Sequence, residues 1–194
     1  MAHMPARPPP WNEHLRMADG RTLWIRPIEP ADAEPLRAGF VMLKPDEIRH
    51  RFLHAVKELS PAMALRFTTP DPDREFALVA AEPLPPGDAL VGAVARIAID
   101  DGRRDGEFAI LVSHFIGGMG LGRRLMQHLV TWARRRRLST LYGDVLEHNH
   151  AMLRLVESMG FRRTVPPDGV GLVRVVLDLR PPPRKRSVAR KSPL

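Results

Sequence analysis

The stretch Glu107-Phe108-Ala109-Ile110-Leu111-Val112-Ser113-His114-Phe115-Ile116-Gly117-Gly118-Met119-Gly120-Leu121-Gly122-Arg123 decides how the chain is read. Residues 107–113 form a run apolar on both faces, which predicts a strand near the middle of a sheet. The glycines that follow allow positive φ and close approach of a ligand to the backbone. Directly after them Leu121, Leu125, Leu129 and Trp132 recur every three to four residues, with polar and basic side chains between. That is the period of an amphipathic helix of about four turns. The first amides of such a helix have no partner within it, and its dipole places positive charge there. A strand, a glycine turn and a helix start in this order make a cradle for a pyrophosphate.

Two familiar phosphate-binding units are excluded. A dinucleotide fold carries its glycines in the first strand-helix unit, with an acid about 20 residues further on. Here the motif lies late in the chain, and the next strand reaches Asp144 and Glu147 instead. A Walker loop needs Gly-Lys followed by Ser or Thr, which is absent. Working outward, residues 140–146 and 170–179 read as strands, and residues 149–159 as a helix closed by Gly160. Upstream, Asp19-Gly20 marks a turn before an alternating strand at 21–26 that Pro27 stops. Helical patterns follow at 31–40, 46–52 and 60–67, then strands at 76–80 and 90–99. The order predicts an α/β fold: a mixed sheet flanked by helices.

The 194 residues, 44% of them hydrophobic, suffice for one domain with its own core. Its expected extent is 19–179, with a disordered N-terminal tail over 1–18 and a basic disordered tail over 180–194. The net charge of +8 is concentrated in that second tail, where six basic residues and no acid fall. The remaining 24 of 30 basic residues face 22 acids, so the domain itself is nearly balanced. A nucleic-acid role would rest on the tail alone. No apolar run approaches the ~20 residues that span a bilayer, and the proline-rich start lacks the core of a signal peptide. Cysteine is absent, which excludes disulfides and protein thiolate chemistry and is compatible with the cytoplasm. His148 and His150 lie two apart with no ligand set around them, so no metal site is expected.

The glycine turn, the strand-borne acid before it and the Asn-initiated helix after it resemble the GNAT superfamily of N-acetyltransferases. Residues 117–122 overlay that family's Gln/Arg-x-x-Gly-x-Gly/Ala signature: Gly120 and Gly122 match, and Gly117 replaces the leading Gln or Arg. Further stretches are similar to the GNAT domain of bacterial protein-lysine acetyltransferases. They include Ile25-Arg26-Pro27-Ile28, Ile48-Arg49-His50-Arg51-Phe52, Asp73-Arg74-Glu75-Phe76-Ala77-Leu78-Val79, Gly106-Glu107-Phe108-Ala109-Ile110 and Asn149-His150-Ala151-Met152-Leu153-Arg154. The likeness covers roughly 17–179; the acyl-CoA-synthetase-like region that often accompanies such domains is missing.

This resemblance implies a twisted sheet splayed at the cofactor site and acetyl-CoA as cosubstrate. It implies Glu107 as general base, taking a proton from an acceptor amine whose ordinary pKa is about 10.4. Ile110, Leu111 and Val112 would offer backbone groups to the pantetheine arm. Gly117, Gly118, Met119, Gly120, Leu121, Gly122 and Arg123 would hold the pyrophosphate. Asn149 would contact the cofactor arm, although an N-cap role fits the same residue. Many relatives carry a tyrosine seven residues after that asparagine; Val156 stands there, and the single tyrosine, Tyr142, is expected in the core. The acceptor implied is a protein lysine. A small amine and a non-catalytic acyl-CoA-binding module are the other readings, and monomer and dimer both remain open.

Overall fold

The structure, a computed structural model, describes residues 11–102, 104–117, 120–165 and 169–180. Its strands are β1 (Glu13–Arg16), β2 (Thr22–Pro27), β3 (Glu75–Ala81), β4 (Val91–Ile99), β5 (Asp105–Val112), β6 (Thr140–Leu146), β7 (Arg162–Thr164) and β8 (Leu172–Asp178). Its helices are α1 (Ala33–Val41), α2 (Pro45–Phe52), α3 (Pro61–Thr68), α4 (Leu121–Arg135) and α5 (His150–Glu157). The strands form one sheet in the order β1-β2-β3-β4-β5-β6-β8-β7, and every neighbouring pair is antiparallel except β5 and β6. The expected mixed α/β architecture is present, with β5 inside the sheet.

Local chemistry sets the helix starts. Pro45 and Pro61 occupy first-turn positions, where a missing N–H costs nothing. Ser60 accepts from the Met63 amide at 3.2 Å, and the Glu47 carboxylate accepts from the Lys44 amide at 2.6 Å. On one face of the sheet α4 buries Leu125, Met126, Leu129 and Ala133 against Ala95, Ile97, Phe108 and Ile110, while α5 adds Leu153 and Val156. The helices α1 to α3 cover the other face, over Val79 and Val91, with a separate cluster of Phe40, Leu59 and Ala64. Arg26 of β2 is buried and holds buried Asp32, just before α1, through two bonds of 2.8 and 2.7 Å. That fork pins the start of the α1 to α3 layer to the sheet.

The expected N-terminal tail is too long. Glu13–Arg16 is a strand, paired to β2 through the turn at Asp19-Gly20, where the Met17 amide donates to Arg21 O at 2.7 Å. Trp11 rests on Phe76 with ring centroids 5.0 Å apart, and Glu13 accepts from Arg124 and His128. These partners lie more than 60 residues away in sequence, so no local pattern announces them. Residues 1–10 and 181–194 lie outside the described residues. The short β7, whose three side chains are all exposed, was also not expected.

A gap in the sheet organises the rest. β5 and β6 pair in register only over Asp105↔Thr140, Gly106↔Leu141 and Glu107↔Tyr142. Beyond Glu107, β5 continues to Val112 beside β4 while β6 continues to Leu146 beside β8. The two strands part there, and the cleft between them opens on the start of α4.

Candidate functional site

Two adjoining cavities fill the cleft, and both are lined by His50, Ile110, Asn149 and Met152. One runs to Glu107 and Asp144, the other to Gly117, Gly120 and Gly122. Pleating decides which backbone groups of β5 face the cleft. The Ser113 amide donates to Gly92 O at 3.0 Å, toward β4, and Asp105 O accepts from Asp100 across the same pair. Alternation therefore turns Leu111 and Ala109 toward β4, and Ile110 and Val112 toward the parted side. Of the three residues expected to offer backbone groups to the cofactor arm, Ile110 and Val112 turn theirs toward the cleft. Leu111 gives its backbone to the sheet and lines the cavity wall instead.

At the other end, Gly120 is the N-cap of α4 with φ +80°, and no side chain caps the helix. Its carbonyl already accepts from the Arg124 amide at 3.1 Å, so the helix begins at once. A Cβ at Gly117 would stand 3.2 Å from Ser113 O, so this glycine keeps the turn tight. Leu121 is a core residue, leaving only its backbone for a ligand. Arg123 donates through Nη2 to Ser158 Oγ at 2.5 Å, which ties α4 to the end of α5. Gly118 and Met119 lie outside the described residues.

Glu47 is a site residue that the sequence reading missed. It lines the glycine end of the cleft, and its Oε1 accepts from the His114 amide at 2.5 Å. Its Oε2 holds the start of α2, so one carboxylate fastens α2 to the loop that leads into α4. The 67-residue separation hides this contact from any local pattern.

Glu107 stands where β5 and β6 part, on the face covered by α2. Its side chain opens to solvent in the cleft, yet the protein crowded around it raises its pKa above the ordinary carboxylate value. The nearby carboxylates of Asp144 and Asp100 add to the rise, while Arg174 and Arg51 oppose it. Asp144 is held by Arg174 through bonds of 2.8 and 2.7 Å. Tyr142 is not a core residue as expected: it is half-buried, and its hydroxyl donates to Asp100 at 3.0 Å. Burial, then the Asp100 carboxylate, push its pKa up to about 12. Val156 is fully buried under α5. The imidazoles of His50 and His148 lie 5.5 Å apart, and burial, followed by His148, lowers the pKa of His50.

Asn149 caps α5, with Oδ1 accepting from the Met152 amide at 3.1 Å, while lining both cavities. Asn149→Ala is expected to lower stability by about 1 kcal/mol, the usual worth of an N-cap. Chemical denaturation should show the midpoint falling with an unchanged slope.

The sequence pattern of the Acetyltransferase (GNAT) family matches residues 46–161, more than half of the chain. The chain belongs to the GNAT family. A relative, the Acetyltransferase PA5475 of Pseudomonas aeruginosa, is 32% identical over 158 residues, 81% of this chain and 83% of that protein. Among solved structures, the GNAT domain of PAT from S. lividans superposes with a TM-score of 0.75 at 25% identity, covering 91% of this chain and 99% of that one. The fold is also that of yncA from Salmonella typhimurium, solved with its cofactor acetyl-CoA, at a TM-score of 0.63 and 22% identity, covering 85% and 98% of the two chains. As a GNAT enzyme the chain is an acetyl-CoA-dependent acetyltransferase, and the cleft suits that cosubstrate. It offers cleft-facing backbone on one β5 edge and an uncapped, glycine-initiated helix end at the other.

Proposed function

We propose that the protein moves the acetyl group of acetyl-CoA onto a protein lysine, with Glu107 as general base. The observation that carries this reading is Glu107 itself: a carboxylate of raised pKa at the point where β5 and β6 part. In this reading Ile110 and Val112 bind the pantetheine arm through their backbone, as an added strand would be bound. The amides from Gly117 to Gly122 cradle the pyrophosphate, and Arg123, engaged with Ser158, leaves that task to the backbone. Acetyl-CoA supplies an acetyl group activated as a thioester.

Lysine arrives as an ammonium and attacks only when neutral. Glu107 takes its proton, directly or through one water, and the raised pKa makes the carboxylate a better base near neutrality. The nitrogen lone pair then forms the C–N bond as the C–S bond breaks, and the sulfur leaves with the electron pair. A β5 amide facing the cleft stabilises the charge that develops on the carbonyl oxygen. The acylated nitrogen loses its second proton to solvent, and, with Val156 at the position of the usual tyrosine, the departing thiolate is protonated by solvent. The likeness of the sequence to bacterial protein-lysine acetyltransferases supports the lysine acceptor.

The test is mass spectrometry of lysine-containing proteins and free amines incubated with acetyl-CoA and the enzyme. Acetyl-lysine in protein at rates above the no-enzyme control is the expected result. Acetylation of free small amines alone would overturn the acceptor, and CoA binding without transfer to any amine would overturn the enzyme.

A further inference from the structure

Of three arginines packed near the sheet, Arg26 and Arg96 are buried and have carboxylate partners, while Arg51 is half-buried. Arg26 holds Asp32 at 2.7 Å, and Arg96 holds Glu75 at 3.2 Å. The third, Arg51 on the last turn of α2, makes no ion pair or hydrogen bond with any described residue. Its guanidinium lies against two aromatic faces, 4.9 Å from the Phe52 ring centroid and 5.8 Å from that of Phe67. Phe67 in turn carries Arg96 at 5.3 Å. Burial, then the charge of Arg96, lowers the pKa of Arg51 to about 10, which leaves it a cation at neutral pH. A partly desolvated cation without a counter-ion bears some of the cost of burial, and the aromatic faces return part of it.

Arg51 is also placed for use. It lines the cavity that holds Glu107 and Asp144, and on its other side an apolar hollow walled by Leu36, Phe40 and Phe67. The Glu107 cavity has a volume of about 190 Å³, far above the 10–15 Å³ that houses one water, so it admits part of an acceptor. Glu107 is close enough for each charge to shift the other's pKa, yet the two make no ion pair. The cations that act on this carboxylate are therefore divided: Arg174 is taken by Asp144, and Arg51 by no described residue.

We propose that Arg51 anchors a carboxylate carried by the acceptor, so that the preferred acceptors are amines bearing a carboxylate a few bonds from the nitrogen. The inference rests on the acyl-transfer reading of the cleft and narrows the acceptor class. The amine sits at Glu107 while the guanidinium fork receives the carboxylate, a pairing of planar partners that ammonium cannot reproduce. That carboxylate belongs either to a small amino acid or to an acidic side chain beside the acceptor lysine in a protein.

The experiment uses the full chain and two matched acceptor pairs: 5-aminopentanoate against 5-aminopentanamide, and a lysine peptide with Glu beside the lysine against the same peptide with Gln. The wild type is expected to favour the carboxylate member of at least one pair by 10-fold or more in kcat/KM, mainly through KM. The pair that shows the preference identifies the source. Arg51→Gln should erase the preference, cutting the rate on the carboxylate member of the pair far more than on the amide or Gln member, and Arg51→Lys should restore part of it. Equal kcat/KM within both pairs for the wild type overturns the proposal, as does an Arg51→Gln loss of equal size on both members. Glutarate binding to the CoA-loaded wild type, read by thermal shift, decides the matter if the variant does not fold or no acceptor turns over. A shift is expected, and its absence overturns the subsite. Failure of every amine with glutarate still bound would strike the transfer reading alone.

Discussion

Glu107→Gln is expected to slow acetyl transfer by about 10²- to 10⁴-fold while acetyl-CoA binds as before, the usual size of a general-base contribution. Glutamine keeps the shape and hydrogen bonding of the side chain but accepts no proton near neutral pH. The direction of the pH profile follows from the raised pKa. A base acts when deprotonated, so the wild-type rate rises as pH climbs through the folded pKa of Glu107, which lies above the ordinary carboxylate value. The variant loses that limb and follows ionisation of the acceptor amine alone. Single-turnover rates across pH, with binding measured in parallel, separate the outcomes. Equal losses of rate and of acetyl-CoA affinity would assign the carboxylate a structural task, and an undiminished rate would remove it from the mechanism.

Gly120→Asp is expected to weaken acetyl-CoA binding by about 100-fold, since one unit charge at short range from a phosphate costs roughly 3 kcal/mol at intermediate dielectric. The geometry makes this a selective change. Gly120 sits at φ +80°, a region Asp enters more readily than most residues, and a Cβ there meets no atom within 4 Å. The fold should therefore survive. In the wild type, acetyl-CoA at about 100 times its Kd should add about 2.7 kcal/mol to stability and raise Tm by several degrees. The Asp variant should show little of this rise. Gly120→Asn has nearly the same shape without the charge, and should retain most of it. A full thermal shift in the Asp variant would place the pyrophosphate elsewhere.

The helix start at Leu121, the strand at β5 and the position of Glu107 were legible because each is written in consecutive residues: an apolar run, four glycines, a period of three to four. The same locality explains the omissions. β1 lies in a stretch without strong alternation and is ordered by Trp11 against Phe76 and Glu13 against Arg124, partners found only in the folded chain. Glu47 looked like an ordinary first-turn acid of α2, and its bond to the His114 amide joins segments 67 residues apart. Tyr142 is expected in the core because it lies within a strand, but its hydroxyl meets the Asp100 carboxylate instead. Leu111 could not be told from Ile110 by composition. Register with β4 separates them, and register is a property of the pair of strands.

The early parting of β5 and β6 also bears on how the enzyme ends a cycle. After only three registered pairs the chain stops supplying a second neighbour for β5, and in the proposed reading the pantetheine arm takes that place. The arm is the same in acetyl-CoA and in CoA, so loss of the acetyl group removes almost nothing from the hold on it. The spent molecule should compete strongly with the fresh one, as a product inhibitor of comparable affinity. With a good acceptor, escape of CoA rather than acyl transfer should then set the pace of turnover. On that reading the enzyme completes its sheet with its own substrate and must break that sheet open every time it works.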